Sequence, residues 1–207
     1  MVWNTWFVTG ADSPVGIQMV RKALAKGHRV VATAEDPTAV MHSIGRVSEE
    51  CLLALALDEV DAGDVAIAFR KAVECFGGID VLVHGAAAYR PKGVFAPLSQ
   101  RQHRSSSVHS LFNVTRAAIQ AMRSQRTGRI HHLLSVPDSG CKPMPFSIVG
   151  FCKAVAMDVA PFGIEVSAIT VPDVLRLLGG TPHHEPNQLQ GGSQRAFSGS
   201  LRTECCT

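Results

Sequence analysis

The stretch Trp6–Gly16, W-F-V-T-G-A-D-S-P-V-G, constrains the chain more than any other, because an apolar run passes directly into a small-residue turn and then into a helical pattern. That order predicts a buried strand, a tight loop and a helix N-terminus. There the unpaired backbone N–H groups and the positive end of the helix dipole favour an anion such as a nucleotide phosphate. Gly10–Gly16 runs G-x-x-x-P-x-G rather than G-x-G-x-x-G, so on its own it suits a plain strand-to-helix turn as well as a phosphate loop. A glycine in place of Pro14 would allow positive φ and close backbone approach, whereas proline fixes φ at about −65° and has no N–H to offer. Pro14 is therefore expected to weaken any phosphate contact.

The theme repeats along the chain. Ile17, Val20, Leu24 and Ala25 recur at helical spacing up to Gly27, and Arg29–Thr33 follows as a strand. Leu52–Leu57 is a further apolar run, Val65, Phe69, Ala72 and Val73 make a helical face, and Ile79–Val83 is a strand after the Gly77–Gly78 break. Leu111–Met122 reads as helix, Arg129–Leu134 as strand, Ile148–Val159 as helix and Glu165–Val171 as strand. Six strands alternating with helices predict an α/β fold, a doubly wound parallel sheet of Rossmann-like type, with a ligand at the C-terminal ends of the strands. At 207 residues, 46% hydrophobic, the chain has one substantial core to bury, which predicts a single domain over residues 1–178. Beyond Leu178 apolar patterning stops, and the Gly-, Pro-, Gln- and Ser-containing segment 179–207 is expected to be a disordered tail.

Charge and cysteine content narrow the function. The net charge is only +3 and the basic residues are scattered apart from Arg101–Arg104 and Arg123–Arg129, which argues against nucleic acid as a partner. Six cysteines without metal-ligand spacing, four of them in apolar or helical surroundings, favour a reducing compartment. The N-terminus opens into a strand pattern without a basic leader, and no run reaches transmembrane length, so a soluble, cytoplasmic protein without a membrane partner is expected. His131 and His132 are adjacent on a strand and face opposite sides, so they form no common metal site, and no metal is expected. His183–His184 reads as polar filler, and Ser105–Ser107 as a helix N-terminal cap ahead of the apolar period.

Seven stretches, in the right order, resemble the short-chain dehydrogenase/reductase family over about residues 5–174. Thr9–Gly16 is similar to its T-G-x-x-x-G-x-G cofactor loop, and Arg29–Ala34 with Glu35–Asp36–Pro37 to the second strand and its ribose-selecting end. Leu57–Asp58 resembles the acidic residue beside the adenine, and Val83–Ala87 stands where the family has N-N-A-G, followed by a long helix like Leu111–Ala117. Gly128–Ile130 with Leu134–Ser135–Val136 resembles the strand bearing the catalytic serine, and Val159–Val166 the strand entry beyond the catalytic helix. The resemblance implies an NAD(P)-binding carbonyl or alcohol oxidoreductase acting on a small carbonyl or alcohol substrate, with homo-oligomerisation through the family's helical faces. It implies Gly10, Ser13, Val15 and Gly16 at the phosphates, Asp58 at the adenine and Ala86 along the ribose. Ala34 stands at the NAD-selecting position and the carboxylate of Glu35 follows it, which repels a 2′-phosphate and favours NAD over NADP.

The proton-transfer residues do not follow. The family pairs a tyrosine with a lysine four residues on. The one tyrosine here, Tyr89, has Lys92 three residues later and sits near the third crossover. Counting back about four turns of helix from Ala160–Gly163 places Cys141 at the tyrosine and Pro145 at the lysine; a second register uses Val149 and Lys153 and leaves two turns. The first is preferred. Ser107 stands at the family's helical asparagine, and Asn113 lies two turns further in. Ser135 alone survives as a catalytic candidate, and a serine without a base contributes a hydrogen bond or simply caps a strand end. Cys141 as a replacement acid would need a cation such as Lys142 beside it. Three readings stay open: an oxidoreductase of weak or absent turnover, a non-catalytic dinucleotide-binding or oligomeric interaction protein, and a truncated product whose sheet edge is left open after Leu178.

Overall fold

The computed structural model describes residues 4–85, 100–133 and 144–170, with positions 174 and 176. The elements run β1 (Thr5–Thr9), α1 (Pro14–Ala25), β2 (Arg29–Ala34), α2 (Pro37–Ile44), β3 (Leu52–Ala56), α3 (Ala62–Phe76), β4 (Val81–His84), α4 (Gln100–Gln125), β5 (Gly128–Leu133), α5 (Met144–Val159), a 3-10 turn (Ala160–Phe162) and β6 (Ile164–Ile169). Every strand pairing is parallel and the sheet order is β3-β2-β1-β4-β5-β6. The expected doubly wound parallel sheet is the one observed.

The apolar run of β1 is continuous because both of its faces are covered. Trp6, Val8, Val30, Ala32, Val81 and Val83 turn to one side, against Met19, Val20 and Ala23 of α1. Phe7, Val31, Leu82 and Ile130 turn to the other, against Val65 and Phe69 of α3 and Val114 and Met122 of α4. The two-residue period of the strands thus splits the core into two layers. Phe7 stacks on Phe69 with ring centroids 4.1 Å apart.

Capping residues set the helix starts. Ser13, Asp36 and Asp61 each accept a backbone N–H of the first turn, and Pro14 and Pro37 open α1 and α2 at positions where a missing N–H costs nothing. Gly77, at φ 80°, ends α3 in the left-handed region.

Two elements differ from what the sequence pattern predicts. α2 has no counterpart in that pattern: it is eight residues long and buries only Val40, too little for a periodic signal, although Asp36–Pro37 carries a cap signature. α4 begins at Gln100, so Ser105–Ser107 lie inside the helix and do not cap it. The helix extends over a polar first stretch that hydrophobic periodicity does not register. Ala86, Tyr89, Lys92, Ser135, Cys141, Lys142, His183, His184 and the segment 179–207 lie outside the described residues.

Candidate functional site

In this sheet the strand order reverses between β1 and β4, which opens a crevice outside their C-terminal ends. The registers Thr9↔Thr33, Ala34↔Ala56 and Val8↔Val83 keep those ends level. Gly10, Glu35, Asp58 and Gly85 therefore leave the sheet along one edge, and the sequence-predicted binding residues of the first three strands share it.

The loop after β1 is closed by its own backbone. Gly10 has φ 63°, Ala11 N–H donates to Thr33 O at 2.9 Å, and Ser13 N–H donates to Gly10 O at 3.1 Å. The buried Ser13 Oγ accepts from Gly16 N–H at 2.9 Å, which leaves the hydroxyl hydrogen to donate outward. Ile17 N–H goes to Ser13 O at 2.8 Å, so Val15 is the first-turn donor those bonds do not take. Gly16 has no room for a side chain: a Cβ there would lie 2.3 Å from Gly10 O. The first turn of α1 contains no acidic residue, so nothing on it opposes an anion at the dipole's positive end.

At the other strand ends, Glu35 is exposed after β2. Asp58 is exposed after β3, with Oδ1 accepting Val60 N–H at 2.9 Å. Gly85 follows β4 at φ 100°, where a side chain is strained, and its N–H donates to Thr9 Oγ1 at 3.2 Å. Ala86 lies just beyond, and Ser135 two residues past the end of β5, both outside the described residues. Lys153 is exposed on α5, Val149 is half-buried one turn before it, and Pro145 falls in the helix's first turn.

Below this edge lies a polar cluster that no sequence pattern indicates. His84 Nε2 sits 3.1 Å from Glu59 Oε2 and 2.8 Å from Ser110 Oγ, and the Ser110 hydroxyl also donates to Glu59 Oε2. His84 Nδ1 is 3.0 Å from His132 Nδ1, the two rings meeting edge-on at 83°. His132 Nε2 is 3.1 Å from Thr115 Oγ1. Asn113 Nδ2 donates to the carbonyls of Glu59 and Val60 at 3.3 and 2.8 Å, tying α4 to the loop after β3. Burial works to raise the Glu59 pKa, but hydrogen bonds and charge from His84, with hydrogen bonds from Ser110 and Thr9, outweigh it and hold the carboxyl at about 2. Burial, with the charges of His84 and His131, pushes His132 well below the ordinary histidine range. Residues 59, 84, 110 and 132 are far apart in sequence, and the one signal there is that His84 and His132 interrupt otherwise apolar strands.

His131 faces the opposite side of the sheet, as expected for neighbours on a strand, with Nδ1 2.8 Å from Ser167 Oγ. Burial first, then the Arg129 charge, lowers its pKa against an opposing effect of Glu165. Cys51, Cys75 and Cys152 are free thiols, and burial raises Cys152 to about 11, which leaves it unreactive. Among the described residues, no group of three or more His, Cys, Asp or Glu side chains is arranged to hold a metal, and no helix is long and apolar enough to cross a membrane.

Comparison with known proteins agrees with this geometry. The model of the short chain dehydrogenase family matches residues 4–176. An uncharacterised oxidoreductase of Mycobacterium bovis is 31% identical over 183 residues, covering 84% of this chain and 74% of that protein. Oxidoreductase BOA17 of Botryotinia fuckeliana is 27% identical over 176 residues, 79% of this chain, and the chain spans only 63% of its length. Among solved structures, a 3-ketoacyl-(acyl-carrier-protein) reductase from Brucella melitensis complexed with NADH superposes at a TM-score of 0.65 with 24% identity, over 81% of this chain and 74% of that one. An NAD+-bound xylitol dehydrogenase gives 0.64 with 22% identity, over 81% and 69%. At such identities the two structures speak to the fold.

Proposed function

The chain belongs to the short-chain dehydrogenase family, and from that premise we propose that it binds a nicotinamide dinucleotide, NAD(H) before NADP(H), across the C-terminal ends of β1 to β4. The β1–α1 turn carries this reading: a capped helix end free of acidic residues in its first turn, packed against Gly10 through a glycine that nothing larger can replace. Gly10, Ser13, Val15 and Gly16 hold the phosphates, Asp58 lies at the adenine and Ala86 along the ribose. Glu35, exposed at the end of β2, accepts from a ribose 2′-OH and repels a 2′-phosphate. The proteins named above whose structures contain NADH or NAD+ support the choice of ligand class.

When bound, the dinucleotide supplies hydride chemistry. Exchange of a proton with a carbonyl or alcohol oxygen would fall to the chain's own side chains, and in the preferred register Cys141 and Pro145 stand where the family has its tyrosine and lysine. Ser135 alone keeps the type of the family's catalytic residues, and a serine without a base contributes a hydrogen bond rather than proton transfer. We therefore read the protein as a cytoplasmic family member whose carbonyl reductase turnover is weak or absent. The loss of the tyrosine favours a second reading, a non-catalytic dinucleotide-binding protein that works through association; Phe112 on α4 and Met157 on α5, 56% and 79% exposed, are apolar surface available for it.

Calorimetric titration of the protein with NADH and NADPH tests the proposal. NADH is expected to bind, and to bind more tightly than NADPH. Heat from neither ligand removes the cofactor assignment; tighter binding of NADPH overturns the role of Glu35.

A further inference from the structure

The hydrogens of the buried cluster can be assigned one bond at a time. Thr115 Oγ1 donates its hydrogen to Leu111 O at 2.6 Å, so toward His132 Nε2 it accepts, and that nitrogen carries a proton. A neutral His132 then has a bare Nδ1, which needs a donor 3.0 Å away, and the atom there is His84 Nδ1. At the other side of the His84 ring, Ser110 spends its hydrogen on Glu59 Oε2. His84 Nε2 thus faces two oxygen acceptors, at 3.1 and 2.8 Å, and must carry a proton as well. With Glu59 as a carboxylate and His132 neutral, this assignment places a proton on both ring nitrogens of His84 and pairs the ring with Glu59, whose side chain is 22% exposed against 9% for His84. Thr9 adds to the lowering of the Glu59 pKa, and its Oγ1 accepts the Gly85 N–H at 3.2 Å. The carboxylate thus holds the last residue of β4, His84, while Thr9, the last residue of β1, is tied to the next residue along, Gly85.

We propose that Glu59 is a positioning residue for the dinucleotide: paired with the His84 imidazolium at the end of β4, next to the Thr9–Gly85 bond that ties β4 to β1, it fixes how the end of β1 lies against the end of β4 and so where the phosphate loop stands relative to Gly85. The inference rests on the dinucleotide reading above. The pair is embedded in hydroxyls and a second histidine: Ser110, Thr115 and His132. Removing the charge while keeping the shape leaves the imidazolium without its counter-ion, and the end of β4 loses its anchor.

Two measurements on the full chain test it. Nitrogen-15 NMR of the histidine rings near neutral pH is expected to show His84 protonated at both nitrogens and His132 neutral with its proton on Nε2. Glu59→Gln is expected to weaken NADH binding roughly tenfold in calorimetry, the size of losing one charge-assisted anchor, and to shift the His84 ring toward the neutral form. Glu165→Gln, exposed and remote on β6, serves as the control and leaves NADH affinity unchanged. A neutral His84 ring in the unmodified protein, or undiminished NADH binding by Glu59→Gln, overturns the positioning role and leaves the dinucleotide site standing. Failure of the unmodified protein to bind either NADH or NADPH overturns both. The ring measurement needs no variant, so it decides even if Glu59→Gln does not fold.

Discussion

The half of the sheet built from β1 to β4 and the half built from β5, α5 and β6 are equally regular, yet they have fared differently. In the first, the chain departs from the family's loop at Pro14, and the turn absorbs the change: Ser13 caps α1 and the proline takes its first helical position. In the second, α5 forms over Met144–Val159 and packs on β6, and it carries no tyrosine and a single lysine, Lys153. Phosphate binding at a helix end uses backbone N–H groups, which any sequence that keeps the turn will present. Proton transfer uses one phenol and one amine, and no backbone can replace them. On the reading proposed above, this fold keeps its binding edge while its proton-transfer chemistry is lost.

The sharpest way to break that contrast is to assay turnover. On the proposed reading, proton transfer without a tyrosine–lysine pair falls to water or to Cys141, and loss of a positioned acid costs about 10²–10⁴-fold. Turnover with NADH or NADPH over aldehydes, ketones and quinones is expected at or near background, by spectrophotometric assay with Ser135→Ala alongside. Robust turnover abolished by Ser135→Ala would show that the second half is catalytic after all, and Cys141→Ala would then separate the thiol from the serine.

The next effect belongs to the first half and is read in stability. Glu59 has its pKa lowered from 4.5 to about 2 in the fold. The unfolded chain therefore binds more protons than the folded one across that interval, so the contribution is complete above about 4.5 and is lost as pH falls toward 2. A shift of that size is of order 3 kcal/mol. Denaturant unfolding at a series of pH values should show this loss in the unmodified protein and a flatter profile in Glu59→Gln. Equal slopes in the two would mean that the ion pair does not stabilise the strand ends.

Much of this contrast is legible in the amino-acid sequence. The strands and the long helices announce themselves because burial on one or both faces imposes a period of two or 3.6 residues. α2 escapes because a helix with one buried residue, Val40, has no stripe to detect, and Asp36–Pro37 reads equally well as a turn. Ser105–Ser107 mislead because cap propensity is local, whereas α4 starts a turn and a half earlier, at Gln100. The loop residues Gly10 to Gly16 are visible because one local turn holds them. Glu59, His84, Ser110 and His132 are not, since their meaning arises only when the loop after β3 meets β4, α4 and β5, and a lone polar residue in a strand carries no hint of its partner.

A smaller effect sharpens the claim that the binding edge rests on backbone. A Cβ on Gly16 would lie 2.3 Å from Gly10 O and 2.7 Å from Ala11 Cα, both main-chain atoms that cannot turn aside. Gly16→Ala should destabilise by about 1–3 kcal/mol, the usual cost of overpacking, and should weaken NADH binding because helix and loop move apart. Thermal unfolding and calorimetry read the two effects. A Gly16→Ala protein as stable and as tightly binding as the original would mean that α1 does not need its close seat on the loop.

Pro14 is the least consequential position and the most informative about why the first half tolerates change. Its ring is exposed and its φ suits the first helical turn, so it helps α1 start; it also removes a donor from the end that faces the phosphates. Glycine reverses both terms. Pro14→Gly should lower stability by about 0.4–1 kcal/mol, since the unfolded chain gains freedom that folding must remove. If the ring obstructs the loop, the same change tightens NADH binding a few-fold, by restoring one N–H and allowing closer approach. Unchanged affinity together with lower stability would instead mark Pro14 as a helix-starting device that the phosphate loop never feels, and the capped turn of Ser13 and Gly16 would then account for binding without it.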